Sequence, residues 1–172
     1  MDLELKIVSK EINELLWRSE HTLSTAESCT AGRVASVITA IPGSSNFFRG
    51  GLVCYAEETK QEILGVDPEI IKEKTAVCED VVRQMVTGAN KAFHSDYAVA
   101  VSGFAGPGGG TDSIRVGTIW IAVGTDTEIV TKKLTDDNGR DKNIARATYE
   151  AMHMLRDFLR EHEPQTEATE EA

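Results

Sequence analysis

A serine on a predicted strand-to-helix turn is the feature of this sequence that most directly suggests chemistry. Ser28 and Thr30 lie within residues 24–33, which follow a β-prone run and precede an amphipathic helix. Such a turn exposes a hydroxyl near helix N-terminal N–H groups, so the serine can act as a nucleophile. A simple N-cap by Ser28 or Thr30 explains the same residue types, and this stretch taken alone favours the cap.

A lysine thirty-two positions further along the chain could supply the base that such a serine needs. Lys60 lies on a short helix predicted at residues 59–64, where a lysine is ordinarily a solvated surface charge. If it faces Ser28 and is buried, its pKa falls and the neutral amine can accept the serine proton. Tyr55, at the end of the preceding strand, could donate to an oxyanion or relay a proton, or it could simply be a core or rim aromatic residue.

Two features could bind an anionic ligand. Residues 103–111 are a glycine-rich loop after a buried strand, and its backbone N–H groups could closely approach a ligand. The loop matches neither a dinucleotide-binding nor a Walker motif, and a wide surface loop explains it equally well. Arg140 is predicted on the buried face of the last helix, near its start. A buried guanidinium needs an anionic partner, which could be a phosphate or carboxylate of a ligand or an Asp or Glu side chain of the protein.

The pattern of apolar residues predicts the elements that must position these groups. Helical periodicity indicates helices at residues 3–19, 34–41, 59–64, 81–93 and 144–158, and a further helix beginning at Asp67-Pro68. Strands are predicted at residues 22–27, 47–55, 97–102, 116–123 and 128–134, the second with a kink or bulge at Gly50-Gly51. This alternation with a late hairpin predicts an α/β fold with a mixed sheet.

Composition limits the classes of function. The 172 residues suggest one domain, and the net charge of −10 argues against a nucleic-acid partner. Three cysteines without a CxxC pair and four scattered histidines predict neither a disulfide framework nor a metal site. With no predicted signal peptide or membrane span, we expect a cytoplasmic protein without a membrane partner. Residues 162–172 are predicted to be an acidic, disordered tail after a domain spanning residues 1–161.

Taken together, several short motifs resemble the C-terminal domain of the competence/damage-inducible protein CinA. They extend in order over roughly residues 5–160, and a TAESCT motif followed by AGPxGGT is much more specific than either motif alone. The matching stretches are residues 25–30, 42–45, 64–66, 98–103, 105–107, 109–111 and 116–120, together with Tyr55 and Lys60.

The resemblance implies a single three-layer α/β/α domain that hydrolyses the carboxamide of nicotinamide mononucleotide, as the stand-alone members of the family do. It implies no metal or organic cofactor, a small nucleotide as substrate, and a homodimer. By position, Ser28 would be the nucleophile, Lys60 its base and Tyr55 an assisting group. The substrate-binding residues would be Thr30, Ser45, Gly103, Ala105, Gly106, Gly109, Gly110 and Arg140.

The sequence departs from the family pattern near this predicted site. The family typically has Ser-Asn where this chain has Ala56-Glu57, and Ala31, Ile114-Arg115 and Cys78 are further differences. A carboxylate at position 57 would favour the charged form of Lys60 and repel a phosphorylated ligand. A catalytically inactive paralogue, acting as a nucleotide-binding or interaction module, is therefore the alternative hypothesis.

Overall fold

The computed structural model describes residues 2–163, in which a five-stranded sheet lies between two layers of helices. The helices are α1 Leu3–Ser19, α2 Arg33–Thr39, α3 Glu57–Leu64, α4 Pro68–Lys74, α5 Glu79–Phe93 and α6 Arg140–His162. The strands are β1 Leu23–Glu27, β2 Phe48–Val53, β3 Tyr97–Gly103, β4 Ile119–Gly124 and β5 Ile129–Leu134, and a 3-10 turn lies at Ser44–Asn46.

The sheet is mixed, as predicted. Its strand order is β2-β1-β3-β4-β5; β1 is parallel to both β2 and β3, whereas β4 pairs antiparallel with β3 and β5. After β1 the chain continues to β2, which pairs with one edge of β1, and it later returns to β3, which pairs with the other edge. In open α/β sheets, a crevice for ligands forms at the carboxyl ends of strands at such a switch point.

Alternate residues of β3 show how the two helical layers pack. Val99 and Val101 belong to one core cluster with residues of α1, α2 and α6, whereas Ala98 and Ala100 belong to a second cluster with α3, α4 and α5. Strands covered on both faces are expected to be apolar throughout, and β3 is buried as far as Ser102. The prediction of a single three-layer α/β/α domain is confirmed.

The irregularity predicted in the second strand is present. The register between β1 and β2 shifts so that Phe48 pairs with Leu23 while Gly50 pairs with Ser24, which leaves one extra residue in β2. At Gly51, a Cβ atom would lie 2.2 Å from the Thr25 hydroxyl oxygen, so a side chain cannot be accommodated at this approach of the two strands.

Several predicted boundaries differ from the structure by a few residues, among them the ends of α2, β2, α5 and α6, and the local cause is clear in the following cases. The helix predicted at residues 59–64 begins at Glu57, because Glu57 and Glu58 complement the helix dipole in its first turn. The strand predicted at residues 116–123 begins only at Ile119. Before it, the Gly117 N–H donates to the Phe104 carbonyl and the Phe104 N–H donates to the Thr118 carbonyl, so these residues form a turn. α6 extends through His162, and Glu163 is buried, so these two residues are not tail. Residues 164–172 of the predicted tail lie outside the described residues.

Candidate active site

The carboxyl ends of β1, β2 and β3 surround a cleft of about 240 Å³. Ser28 directly follows β1, Tyr55 lies between β2 and α3, and Gly103 ends β3. The residues lining the cleft are Ser28, Cys29, Tyr55, Glu57, Lys60, Ala76, Val77, Ser102, Gly103, Phe104, Ala105, Gly106, Gly108, Gly109 and Arg140. A larger groove of about 600 Å³ lies between α3 and α5, but its only hydroxyl, Thr87, donates to the Arg83 carbonyl, and its Lys91 is exposed rather than buried.

The structure brings the hydroxyl of Ser28 and the amine of Lys60 into hydrogen-bond contact, with 3.1 Å between Oγ and Nζ. The parallel pairing of β1 with β2 places the two ends side by side, and the Cys54 N–H continues that pairing by donating to the Glu27 carbonyl. α3 then turns back so that Lys60 extends under the cleft. Ser28 is 8% exposed and Lys60 is 1% exposed.

The other contacts of Lys60 orient its amine. Nζ lies 2.7 Å from the Cys54 carbonyl oxygen and 3.4 Å from that of Tyr55. A neutral amine has two N–H donors and one lone pair. When the two carbonyls accept the two N–H groups, the lone pair faces Ser28, whose O–H can then donate to Nζ. This is the geometry that a serine needs to lose its proton to a lysine.

Burial lowers the pKa of Lys60 below its ordinary 10.5, although nearby Cys54, Glu57 and Cys29 act in the opposite direction. The two thiols are themselves buried, which raises the pKa of Cys29 to about 12 and also raises the pKa of Cys54. Both thiols are therefore neutral near pH 7, and among these three groups only Glu57 carries a charge that opposes deprotonation of Lys60. The loss of hydration on burial outweighs that charge.

Glu27, which no sequence motif singled out as a cap, caps α2. Its carboxylate accepts the backbone N–H groups of Gly32, Val34 and Ala35 at 3.1, 3.0 and 2.8 Å. Neither Ser28 nor Thr30 makes a capping hydrogen bond, so the N-cap interpretation of these residues is wrong. The helix N–H groups expected to face a ligand are occupied by Glu27, which leaves the Ser28 hydroxyl free for Lys60.

Arg140 lies at the rim of the cleft rather than on the buried face of α6. It is exposed because it is the first residue of the helix, where the buried stripe has not yet begun. Its Nη1 donates to the Gly106 carbonyl at 2.7 Å, and its Nη2 donates to the Tyr55 hydroxyl at 3.1 Å. Within residues 2–163 no carboxylate forms an ion pair with Arg140, so the guanidinium can still receive an anion.

The glycine loop is held by a side chain that was not predicted. Asn143 is fully buried on α6, donates to the carbonyl of Ala105 and the carboxylate of Asp137, and accepts the Asn138 N–H. The residues that line the cleft but were not predicted as site residues are Cys29, Glu57, Ala76, Val77, Ser102, Phe104 and Gly108. A polar residue beside Ile144 on an otherwise apolar helix face was the signal that could have revealed Asn143.

Three of the predicted binding residues do not line the cleft. Thr30 is 0% exposed, and its hydroxyl finds no hydrogen-bond partner in residues 2–163. Ser45 precedes β2 and therefore lies at the amino-terminal end of the parallel strands, opposite Ser28. Gly110 packs against the backbone of Ile114 and Val116 instead. The structure brings together Ser28, Lys60, Tyr55, Gly103, Ala105, Gly106, Gly109 and Arg140.

Neither a metal centre nor a membrane segment is found in the part of the chain that the structure describes. No group of three or more His, Cys, Asp or Glu side chains among residues 2–163 could hold a metal ion. None of the described helices combines the length and the apolar character needed to cross a bilayer.

Known proteins resemble the chain over most of its length. It is 43% identical to nicotinamide-nucleotide amidohydrolase PncC of Escherichia coli K12 over 155 residues, which covers 90% of this chain and 94% of that protein. It is 40% identical to a CinA-like protein of Flavobacterium psychrophilum over 144 residues, or 84% of this chain. The chain spans only 34% of the length of that protein, about a third.

Solved structures agree with the sequence comparison. The competence/damage-inducible protein CihA of Agrobacterium tumefaciens superposes with a TM-score of 0.87 at 32% identity, covering 93% of this chain and 99% of that one. A CinA superfamily protein of Klebsiella pneumoniae superposes with a TM-score of 0.86 at 31% identity, covering 91% and 98%. Residues 5–159 match the CinA C-terminal domain. The chain therefore belongs to the CinA C-terminal domain family.

Proposed function

We propose that the protein hydrolyses the carboxamide of nicotinamide mononucleotide to nicotinic acid mononucleotide and ammonia, with Ser28 as nucleophile and Lys60 as base. The observation that carries this proposal is the 3.1 Å contact between the Ser28 hydroxyl and an amine that is 1% exposed. The similarity to the amidohydrolase PncC, which covers 90% of the chain, supports the class of substrate.

The first chemical step transfers the Ser28 proton to Lys60 Nζ while Oγ attacks the carbonyl carbon of the amide. The resulting oxyanion needs N–H donors. The backbone N–H of Cys29, the residue after the nucleophile, belongs to a residue that lines the cleft and donates to no backbone carbonyl within residues 2–163, so it can serve as one such donor. Lys60 then returns the proton to the leaving nitrogen, and the C–N bond breaks to release ammonia.

The second step hydrolyses the ester between Ser28 and the nicotinoyl group. Water loses a proton to neutral Lys60 and attacks the ester carbonyl, which releases the carboxylate product and restores the Ser28 hydroxyl. Arg140 and the loop around Gly106 and Gly109 would bind the phosphate of the nucleotide. Tyr55, which is 58% exposed, would orient Arg140 through its hydroxyl.

Ammonia release from nicotinamide mononucleotide by the purified protein and by its Ser28→Ala variant tests the proposal. We expect turnover by the wild type and its loss in the variant. Undiminished turnover in Ser28→Ala would exclude Ser28 as the nucleophile. An inactive wild type that is stabilised against heat by the nucleotide would instead favour a binding module, because only a ligand of the native state raises Tm.

A further inference from the structure

Glu57 is a charged group in the cleft for which the proposed reaction has no use. It begins α3, one turn before Lys60, and it is the only carboxylate among the residues that line the cleft. Its side chain makes no hydrogen bond or ion pair with any residue in the described range 2–163, and it is exposed. An unpaired carboxylate beside a catalytic base must have an effect on any charged ligand that enters.

The cleft presents opposite charges at two places. Arg140 supplies a positive charge on the side of the glycine loop, where it bonds to Gly106. Glu57 supplies a negative charge on the side of α3. Lys60 also lines the cleft, and burial lowers its pKa. A ligand that complements this pattern carries an anionic group at one end and a positive charge close to the group that reacts with Ser28.

Nicotinamide mononucleotide has this distribution of charge. Its phosphate is anionic, and its ring nitrogen, alkylated by the ribose, carries a fixed positive charge. That nitrogen lies three bonds from the carbonyl carbon that Ser28 would attack. Ser28 and Glu57 line the same cleft of about 240 Å³, so a ring whose carboxamide meets Ser28 Oγ shares that cleft with the Glu57 carboxylate.

Resting on the proposed function, we propose that Glu57 is a specificity-determining residue that binds the cationic ring and selects pyridinium amides over amides on neutral rings. The same carboxylate would repel the negatively charged carboxylate of the product and so favour its release.

The activity of a Glu57 variant cannot by itself test this proposal, because Glu57 also favours the protonated form of Lys60. A comparison of two ligands separates the two effects. The 1,4-dihydro form of nicotinamide mononucleotide has the same phosphate, ribose and carboxamide but a neutral ring. Any change at Lys60 affects the binding of both ligands, whereas pairing with the ring charge affects only the oxidised form.

The test measures the dissociation constants of both ligands by calorimetry in the Ser28→Ala background, where neither is consumed. We expect the oxidised form to bind more tightly than the dihydro form, and Glu57→Gln to reduce this preference about fivefold, as for a partly exposed charge pair. Glu57→Asn should behave likewise. Glu58→Gln is the matched control, because Glu58 is exposed on the same helix and does not line the cleft.

An unchanged preference in both Glu57 variants, or no binding of either ligand, would overturn the proposal. The outcome is independent of turnover, which is measured separately with Ser28 intact. A protein that binds the oxidised form through Glu57 but releases no ammonia would refute the proposed hydrolysis and leave the role of Glu57 standing. A protein that releases ammonia without a Glu57-dependent preference would support the proposed hydrolysis and refute the role of Glu57.

Discussion

Replacing Glu27 by glutamine tests whether this buried carboxylate holds the nucleophile turn in place. Glu27 is 1% exposed, and its two oxygens accept three backbone N–H groups at the start of α2. In the glutamine variant, the amide oxygen can keep the two bonds to Gly32 and Val34. The NH₂ group then faces the N–H of Ala35, and this donor is left without an acceptor.

The magnitude follows from these three bonds. An unmet buried donor costs about 1–3 kcal/mol, and a bond to a charged acceptor is worth about 1 kcal/mol more than a neutral one. One unmet N–H group and two weakened bonds therefore reduce the free energy of unfolding by about 3–5 kcal/mol. For a domain of this size the corresponding fall in Tm is about 6–20 °C.

Urea denaturation and thermal melting of Glu27→Gln measure this loss, with Glu58→Gln as the control because Glu58 is an exposed glutamate. Turnover should fall as well, because Ser28 directly follows Glu27. The backbone N–H of Ser28 donates to the Val101 carbonyl, so a shift of the turn at Glu27 would also displace the nucleophile. If Glu27→Gln unfolds at the same urea concentration as the control, the Glu27 carboxylate does not stabilise the start of α2 and its capping role is refuted.

The remaining predictions concern the two cationic residues of the cleft. Arg140→Gln should raise KM for nicotinamide mononucleotide by about 10- to 100-fold, the worth of a charge-assisted phosphate contact, and leave Tm nearly unchanged because Arg140 is exposed; steady-state kinetics with an unchanged KM would contradict this. For Lys60, the lowered pKa means that the unfolded state binds more protons between that pKa and 10.5, so stability rises with pH across this window. Below the window the cost of burying the charged amine is fully present, and above 10.5 it is absent. Burial raises the pKa of the Cys29 and Cys54 thiols above 9.0, which acts in the opposite direction above that pH, so the measurement is made below it. Urea denaturation between about pH 7 and 9 should show a steeper rise of stability with pH in the wild type than in Lys60→Met. Equal slopes would count against a buried amine with a lowered pKa.

Local patterns in the sequence were sufficient to predict the architecture. Apolar periodicity is a property of neighbouring residues, so it revealed the helices and the buried β3 before any tertiary contact was known. The Gly50-Gly51 pair indicated the bulge in β2, whose extra residue is the adjacent Arg49. Boundaries were less accurate, because they depend on interactions outside the element. The bonds of Phe104 to Gly117 and Thr118, for example, delay the start of β4 to Ile119.

The site was only partly predictable, because it forms from distant segments. Ser28 and Lys60 could be named as candidates, but their contact depends on the pairing of β1 with β2. Ser45 lies within a segment that matches the family, yet α2 carries the chain back across the sheet and places it at the opposite end. Glu27 was missed because a carboxylate in a buried strand gives no sign of its partners. The homodimer stays a prediction, which light scattering would test.

Titration of the Lys60 amine by NMR tests the proposed Ser28–Lys60 mechanism most directly. Lysine labelled with ¹³C at Cε would be incorporated, and the Lys60 resonance assigned by its absence from Lys60→Met. We expect this one lysine to titrate below 10.5, because burial lowers the pKa of an amine that lies beside the Ser28 hydroxyl. A Lys60 resonance that titrates at 10.5 or above would contradict the mechanism, because the amine would then be charged whenever the substrate arrives.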